Sequence, residues 1–217
     1  MLDIGQKKDS SNVSSEKLRE LHWEKLFKKV DYTQVLWHQL SPKMSFELVE
    51  KNSENRDAKI VDVGCGASLL VDTLLENKYK NITLLDTSKT SLEIVQNRVK
   101  SNIPIYVNSD ILNFQSETKF DIWHDRAVFH FLLKRSERVK YFNVLLDSLK
   151  DNGVAIINTF AINGATQCAG LNIAQYDEEK MAKELPKELK IVEYKEFTHH
   201  TPKATTQKYC SFVIKKV

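Results

Sequence analysis

Three carboxylates and two glycines form the part of this chain best suited to chemistry: Asp62, Gly64, Gly66, Asp86 and Asp110. The first four lie in residues 60–86, IVDVGCGASLLVDTLLENKYKNITLLD, which read as a short apolar strand, a glycine turn, a helix and a second strand ending in an acid. That succession is the pattern of a nucleotide-binding βαβ unit. Its glycines let the backbone turn tightly against a ligand, and the terminal acid stands where ribose hydroxyls are held. A dinucleotide would call for a third glycine to seat its pyrophosphate on the helix N-terminus, and Ala67, Ser68 and Leu69 occupy that stretch instead. No Gly-Lys-Ser/Thr follows the turn, so a P-loop is excluded. Asp62, just before the glycines, would repel a phosphate and suit a positive charge. The ligand implied carries a ribose and a cation and no phosphate, a description that S-adenosylmethionine meets through its sulfonium and ammonium groups.

The segment Asp62-Val63-Gly64-Cys65-Gly66 resembles the first motif of the class I S-adenosylmethionine-dependent methyltransferases. The resemblance implies that Asp86 binds the ribose diol, with Thr87 following it. It also implies that Asp110 in NSDIL faces the adenine amino group, with Ile111 following, and that FDIWHDR at 120–126 is the fourth strand with the residues closing over the cofactor. Upstream, HWEKLF followed by LWHQ is similar to an aromatic pattern in a branch of many bacterial enzymes of the small-molecule type. More distantly it is similar to eukaryotic lysine methyltransferases acting on elongation factor 1A. On that likeness Trp23, Phe27 and Trp37 contact the cofactor, as do His124 and Arg126 after the fourth strand. Taken together, the cofactor set is Trp23, Phe27, Trp37, Asp62, Gly64, Gly66, Asp86, Thr87, Asp110, Ile111, His124 and Arg126.

These residues need a frame. Residues 1–14 are polar, serine-rich and without periodicity, and are expected to be a disordered tail before a single domain at 15–217. In that domain 15–55 form a helical cap. Its first helix starts at Ser15 and buries Leu18, Leu21, Trp23, Leu26, Phe27 and Val30; a second covers 42–52 with Met44, Phe46, Leu48 and Val49 inward. After the βαβ unit come a helix at 90–101, strands at 105–107 and 120–123, and a helix at 136–149 stopped by Asp151-Asn152-Gly153. Residues 154–160 form an apolar buried strand and 178–185 a helix. Strands at 191–197 and 208–214 are joined by a linker too short for a crossover helix, so they pair antiparallel. The expected fold is α/β: a Rossmann-like, seven-stranded, mostly parallel sheet with its last strand reversed and helices on both faces.

The net charge of +3 over 217 residues, with lysines scattered among glutamates, excludes a basic nucleic-acid stripe. No apolar run nears roughly eighteen residues, and a cytoplasmic protein without a membrane partner is expected. Cys65, Cys168 and Cys210 have neither disulfide nor zinc spacing, and no metal is expected. For a general base the candidates are His124 and Asp125 at the carboxyl end of the fourth strand, with His130 reading as a packed residue. Cys168, in an exposed loop, and His199 and His200 are expected at the substrate. A small-molecule acceptor is favoured; the alternatives are a protein lysine and a catalytically silent cofactor-binding module.

Overall fold

The computed structural model describes residues 14–217. The expected disordered tail therefore lies, except for Ser14, outside the described residues. The chain runs through α1 (Ser15–Lys29), α2 (Lys43–Asn52), β1 (Lys59–Val63), α3 (Leu70–Glu76), β2 (Asn81–Asp86), α4 (Lys89–Val99), β3 (Ile105–Asn108) and β4 (Phe120–Arg126). It continues through α5 (Arg135–Ser148), β5 (Leu149–Phe160), a short hairpin of β6 (Gln167–Cys168) and β7 (Leu171–Asn172), α6 (Glu178–Glu184), β8 (Leu189–His200) and β9 (Thr206–Lys216).

The main sheet has the order β3-β2-β1-β4-β5-β9-β8. The first five strands are parallel, and β9 runs antiparallel to both β5 and β8. This is the expected seven-stranded arrangement with its last strand reversed. Alternation along each strand divides the core between two faces. Ile60, Ile122 and Ile156 pack under α2, α3 and α4, whereas Val61, Trp123 and Ile157 pack under α5. Burial on both faces explains why these strands read as nearly unbroken apolar runs. The same parity sends His124 to the α2 side and Asp125 to the α5 side, although they are neighbours in sequence.

Several local expectations are overturned. Ser14 caps α1, accepting from the Lys17 N–H at 3.2 Å, an interaction worth about 1 kcal/mol. Yet Leu18, Leu21 and Val30 are exposed, and only Phe27 of the expected apolar stripe is fully buried. The helix lies on the surface as a strap, held largely by polar contacts. α5 ends at Ser148 and β5 begins at once, so Asp151-Asn152-Gly153 belong to the strand and do not cap the helix. Gly153 is needed for space instead: a side chain there would press on Leu149 and on the Phe120 carbonyl.

Candidate active site

Every parallel strand delivers its carboxyl end to one edge, where α/β sheets bind ligands. β1 ends in the turn bearing Gly64 and Gly66, both left-handed with φ of 60° and 52°. A side chain at Gly64 would overlap the Val128 methyl, and one at Gly66 would come within 3.2 Å of the Phe27 ring. Asp86, at the end of β2, is buried. Its Oδ2 accepts from the Gly66 N–H at 2.8 Å and its Oδ1 from the Ser88 N–H at 2.7 Å. Burial pushes its pKa up to about 6 despite those two bonds. Asp110 accepts from the Leu112 N–H at 2.9 Å, and it lines the same cleft as Asp62, Asp86, Thr87 and Ile111.

His124 is almost wholly buried and held at both ring nitrogens. Nδ1 lies 2.7 Å from Asp62 Oδ1 and Nε2 lies 2.9 Å from the Ser45 hydroxyl of α2. Register explains the first contact, because Asp62 and His124 are paired across β1 and β4. With Nδ1–H donating to the carboxylate, Nε2 accepts from Ser45, and no lone pair is left to take a proton from an acceptor. His124 therefore fixes the orientation of Asp62. Asp125 is turned under α5, where it accepts from the Tyr141 hydroxyl at 2.7 Å and from the Val128 N–H at 2.9 Å. Burial pushes its pKa up to about 6, but it does not line the cleft. Neither of the two expected base candidates is placed to act as one.

The cap covers this edge. Arg19 of α1 reaches Glu137 at 2.7 Å and Asp110 at 3.4 Å. One turn on, Glu24 accepts from the Ser88 hydroxyl at 2.8 Å and the Thr90 hydroxyl at 2.7 Å. Trp23 meets Phe131 and Trp37 edge-on, with ring centroids 5.3 and 5.9 Å apart. Arg19, Trp23 and Phe27 follow at i, i+4 and i+8, one face of the helix, and all three line the cleft. The role of Arg19 was missed in the sequence, although that spacing from the two aromatics was there to find it. Ser45 and the Tyr32 and His38 wall of the cleft had no such signal.

The remaining candidates separate. Cys168 lines the cleft but is buried, contrary to its expected exposure, and burial pushes its thiol up to about 12. At neutral pH it is no thiolate nucleophile. His199 is buried away from the cleft lining and lies 2.8 Å from the Leu36 carbonyl, so it ties the cap to β8. His200 is exposed on the same strand. Neither histidine reaches the substrate region it was expected to line. His130 is fully buried, as a packed residue should be, and burial pushes its pKa down to about 3. Among the described residues no cluster of His, Cys, Asp and Glu is placed to hold a metal, and no helix is long and apolar enough to cross a membrane.

A methyltransferase-domain model matches residues 54–211, most of the chain, and the protein belongs to that family, the S-adenosylmethionine-dependent methyltransferases of class I. Solved structures agree on the fold. A methyltransferase from Anabaena variabilis superposes with a TM-score of 0.73 at 16% identity, over 95% of this chain and 96% of that one. The 1,6-didemethyltoxoflavin-N1-methyltransferase of Burkholderia thailandensis, solved with 1,6-didemethyltoxoflavin and S-adenosylhomocysteine, gives 0.70 at 14% identity over 98% of each chain. The N-methyltransferase NodS from Bradyrhizobium japonicum, in complex with S-adenosylhomocysteine, gives 0.65 at 15% identity over 88% of this chain and 98% of that one. No curated protein matches the sequence.

Proposed function

We propose that the protein transfers the methyl group of S-adenosylmethionine to a small molecule. The observation that carries this reading is the strapped cleft: α1 and the Trp37 segment are bonded down across the sheet edge, leaving an aromatic-walled space under a cap rather than an open groove. The Burkholderia enzyme, solved with bound 1,6-didemethyltoxoflavin, supports a small-molecule acceptor.

The cleft chemistry fits the cofactor. Asp86 offers a buried carboxylate to the ribose diol. Asp62 offers one to the ammonium, and Asp110 and Ile111 border the adenine position. When bound, the cofactor supplies an electrophilic methyl on a sulfonium. The protein's own part is orientation and exclusion of water by Trp23, Trp37 and Phe131. Positioning two reactants in this way can lower a barrier by about 7–11 kcal/mol. With His124 and Asp125 both committed elsewhere, the acceptor should arrive already nucleophilic.

Incubating the protein with methyl-labelled cofactor and, separately, small-metabolite and protein fractions of a cell extract tests the proposal. Label is expected in the small-molecule fraction. Label confined to protein would reassign the acceptor, and cofactor binding with no label in either fraction would make this a silent binding module.

Asp62→Asn tests the ammonium assignment. Removing one charge-assisted hydrogen bond, about 1.5–3 kcal/mol, should weaken S-adenosylhomocysteine binding by roughly 10- to 150-fold. Calorimetry should show 5′-methylthioadenosine, which lacks the amino-acid arm, nearly unaffected. Equal losses for both ligands would mean that Asp62 supports the glycine turn and not the ammonium.

A further inference from the structure

Arg126 ends β4 with its guanidinium in the cleft, where Nη1 donates to the Trp37 carbonyl at 3.0 Å. Its Nη2 is buried and has no hydrogen-bond partner among the described residues. Three other arginines with largely buried side chains each face a carboxylate: Arg19 faces Asp110 and Glu137, Arg98 faces Asp72, and Arg138 faces Glu184. Among the described residues Arg126 has no such ion pair, and the nearby Asp62 is bonded to His124. A guanidinium withdrawn from water without a counter-charge is strongly unfavourable, and its planar fork is shaped to take a planar oxyanion through two parallel bonds.

What surrounds it is aromatic. The Tyr209 ring lies 5.6 Å from Cζ, and Trp23, Trp37 and Phe131 wall the adjoining part of the cleft. The Tyr209 hydroxyl and both ring nitrogens of His130, all buried, also lack partners among the described residues. His130 and Tyr209 both pack on Phe160, so these unpaired groups belong to one aromatic cluster. Sheet order sets the direction. Asp86 stands on β2, whereas Arg126 stands on β4, two strands from β2 or roughly 10 Å at the usual spacing, and leans towards Tyr209 on β9, farther along the sheet. The guanidinium is thus on the far side of the glycine turn from the ribose end of the cleft.

We propose that Arg126 is the receptor for an oxyanion on the acceptor, and that the acceptor is a flat aromatic or heteroaromatic acid lying among Trp23, Trp37 and Phe131. The proposal rests on the methyl-transfer reading above, and it moves Arg126, Trp23 and Trp37 from the cofactor set to the acceptor side. The anion could also come from the cofactor, whose amino-acid arm ends in a carboxylate, so the test separates the two sources.

The protein loaded with S-adenosylhomocysteine is titrated with benzoate, salicylate, nicotinate and indole-2-carboxylate, each beside its primary amide, with binding followed by calorimetry and ligand-observed NMR. At least one acid should bind, with its amide weaker by about tenfold or more. Arg126→Met should abolish that preference, Arg126→Lys should keep part of it, and both should leave S-adenosylhomocysteine affinity within a few-fold. Acids and amides binding alike, or no acid binding, overturns the proposal on the wild-type protein alone, whatever the variants do. An affinity for S-adenosylhomocysteine that falls about tenfold in Arg126→Met, with that for 5′-methylthioadenosine unchanged, assigns the guanidinium to the cofactor's carboxylate and also overturns it. If the wild-type protein fails to bind S-adenosylhomocysteine, the methyl-transfer reading itself falls, and this proposal with it.

Discussion

Asp86→Ala is expected to lower affinity for S-adenosylhomocysteine by about two orders of magnitude or more. The carboxylate already accepts from the Gly66 and Ser88 N–H groups, and its two oxygens have about four acceptor positions in all. Two remain for the ribose diol. At about 1.5–3 kcal/mol for each charge-assisted bond, losing both amounts to about 3–6 kcal/mol, or 10²- to 10⁴-fold. Unlike Asp62→Asn, the loss should be the same for 5′-methylthioadenosine, because that ligand keeps the ribose. Acidity gives a second signature. Ribose hydroxyls donate to the ionised form, so binding favours loss of the Asp86 proton, whose pKa burial has raised to about 6. Affinity should therefore be full above that pH and fall as pH drops through it, by up to about tenfold per unit. Asp86→Asn should bind weakly with a flatter profile. Calorimetry between pH 5 and 8 reads both, and wild-type affinity in Asp86→Ala would remove the ribose assignment.

Much of the frame was legible because its strands are buried on both faces. Ile60, Val61, Ile82, Leu84 and Leu85 each meet helix or strand neighbours, so their apolar runs admitted few other readings. The carboxyl-edge acids were legible for a related reason: an ionisable residue ending such a run needs a partner, and Asp86 has two backbone N–H groups for it. Where one element lies loosely on another, periodicity misled. Leu18, Leu21 and Val30 have helical spacing but stay exposed, because α1 is fastened through Arg19 and Glu24 and buries only a narrow strip around Phe27.

Side-chain partners were the hardest to read. His124 was singled out correctly as a residue of the carboxyl edge, but its bond to Ser45 joins positions 79 apart and removes the free nitrogen that a base requires. Asp125 differs from it by one position, and strand alternation alone carries it to the other face. His199 behaves similarly. Its ring serves the Leu36 carbonyl, a contact between the cap and β8 that no local pattern announces. The hairpin of β6 and β7 has two residues per strand, too few for alternation to register, yet it carries Cys168 into the cleft.

The glycine turn gives the sharpest test of the frame, because its two glycines are required for different reasons. Both have left-handed φ, which costs an L-residue about 1–2 kcal/mol. Only Gly64 also faces an outright overlap: a methyl there would collide with the Val128 side chain, whereas at Gly66 it would meet the Phe27 ring edge at 3.2 Å. Overpacking of the first kind costs about 1–3 kcal/mol more. Gly64→Ala should thus lose about 2–5 kcal/mol in all, a fall in Tm of roughly 4–20 °C for a domain of this size. Gly66→Ala should lose only the smaller, conformational part. Adding Val128→Ala to Gly64→Ala should recover stability despite removing buried methyls, a coupling of about 1 kcal/mol or more between touching sites. Differential scanning calorimetry of Gly64→Ala, Gly66→Ala, Val128→Ala and the double variant decides it. Equal losses at Gly64 and Gly66, or no coupling between Gly64 and Val128, would show that the turn is held by its backbone conformation alone and not by the packing of β4's following loop against it.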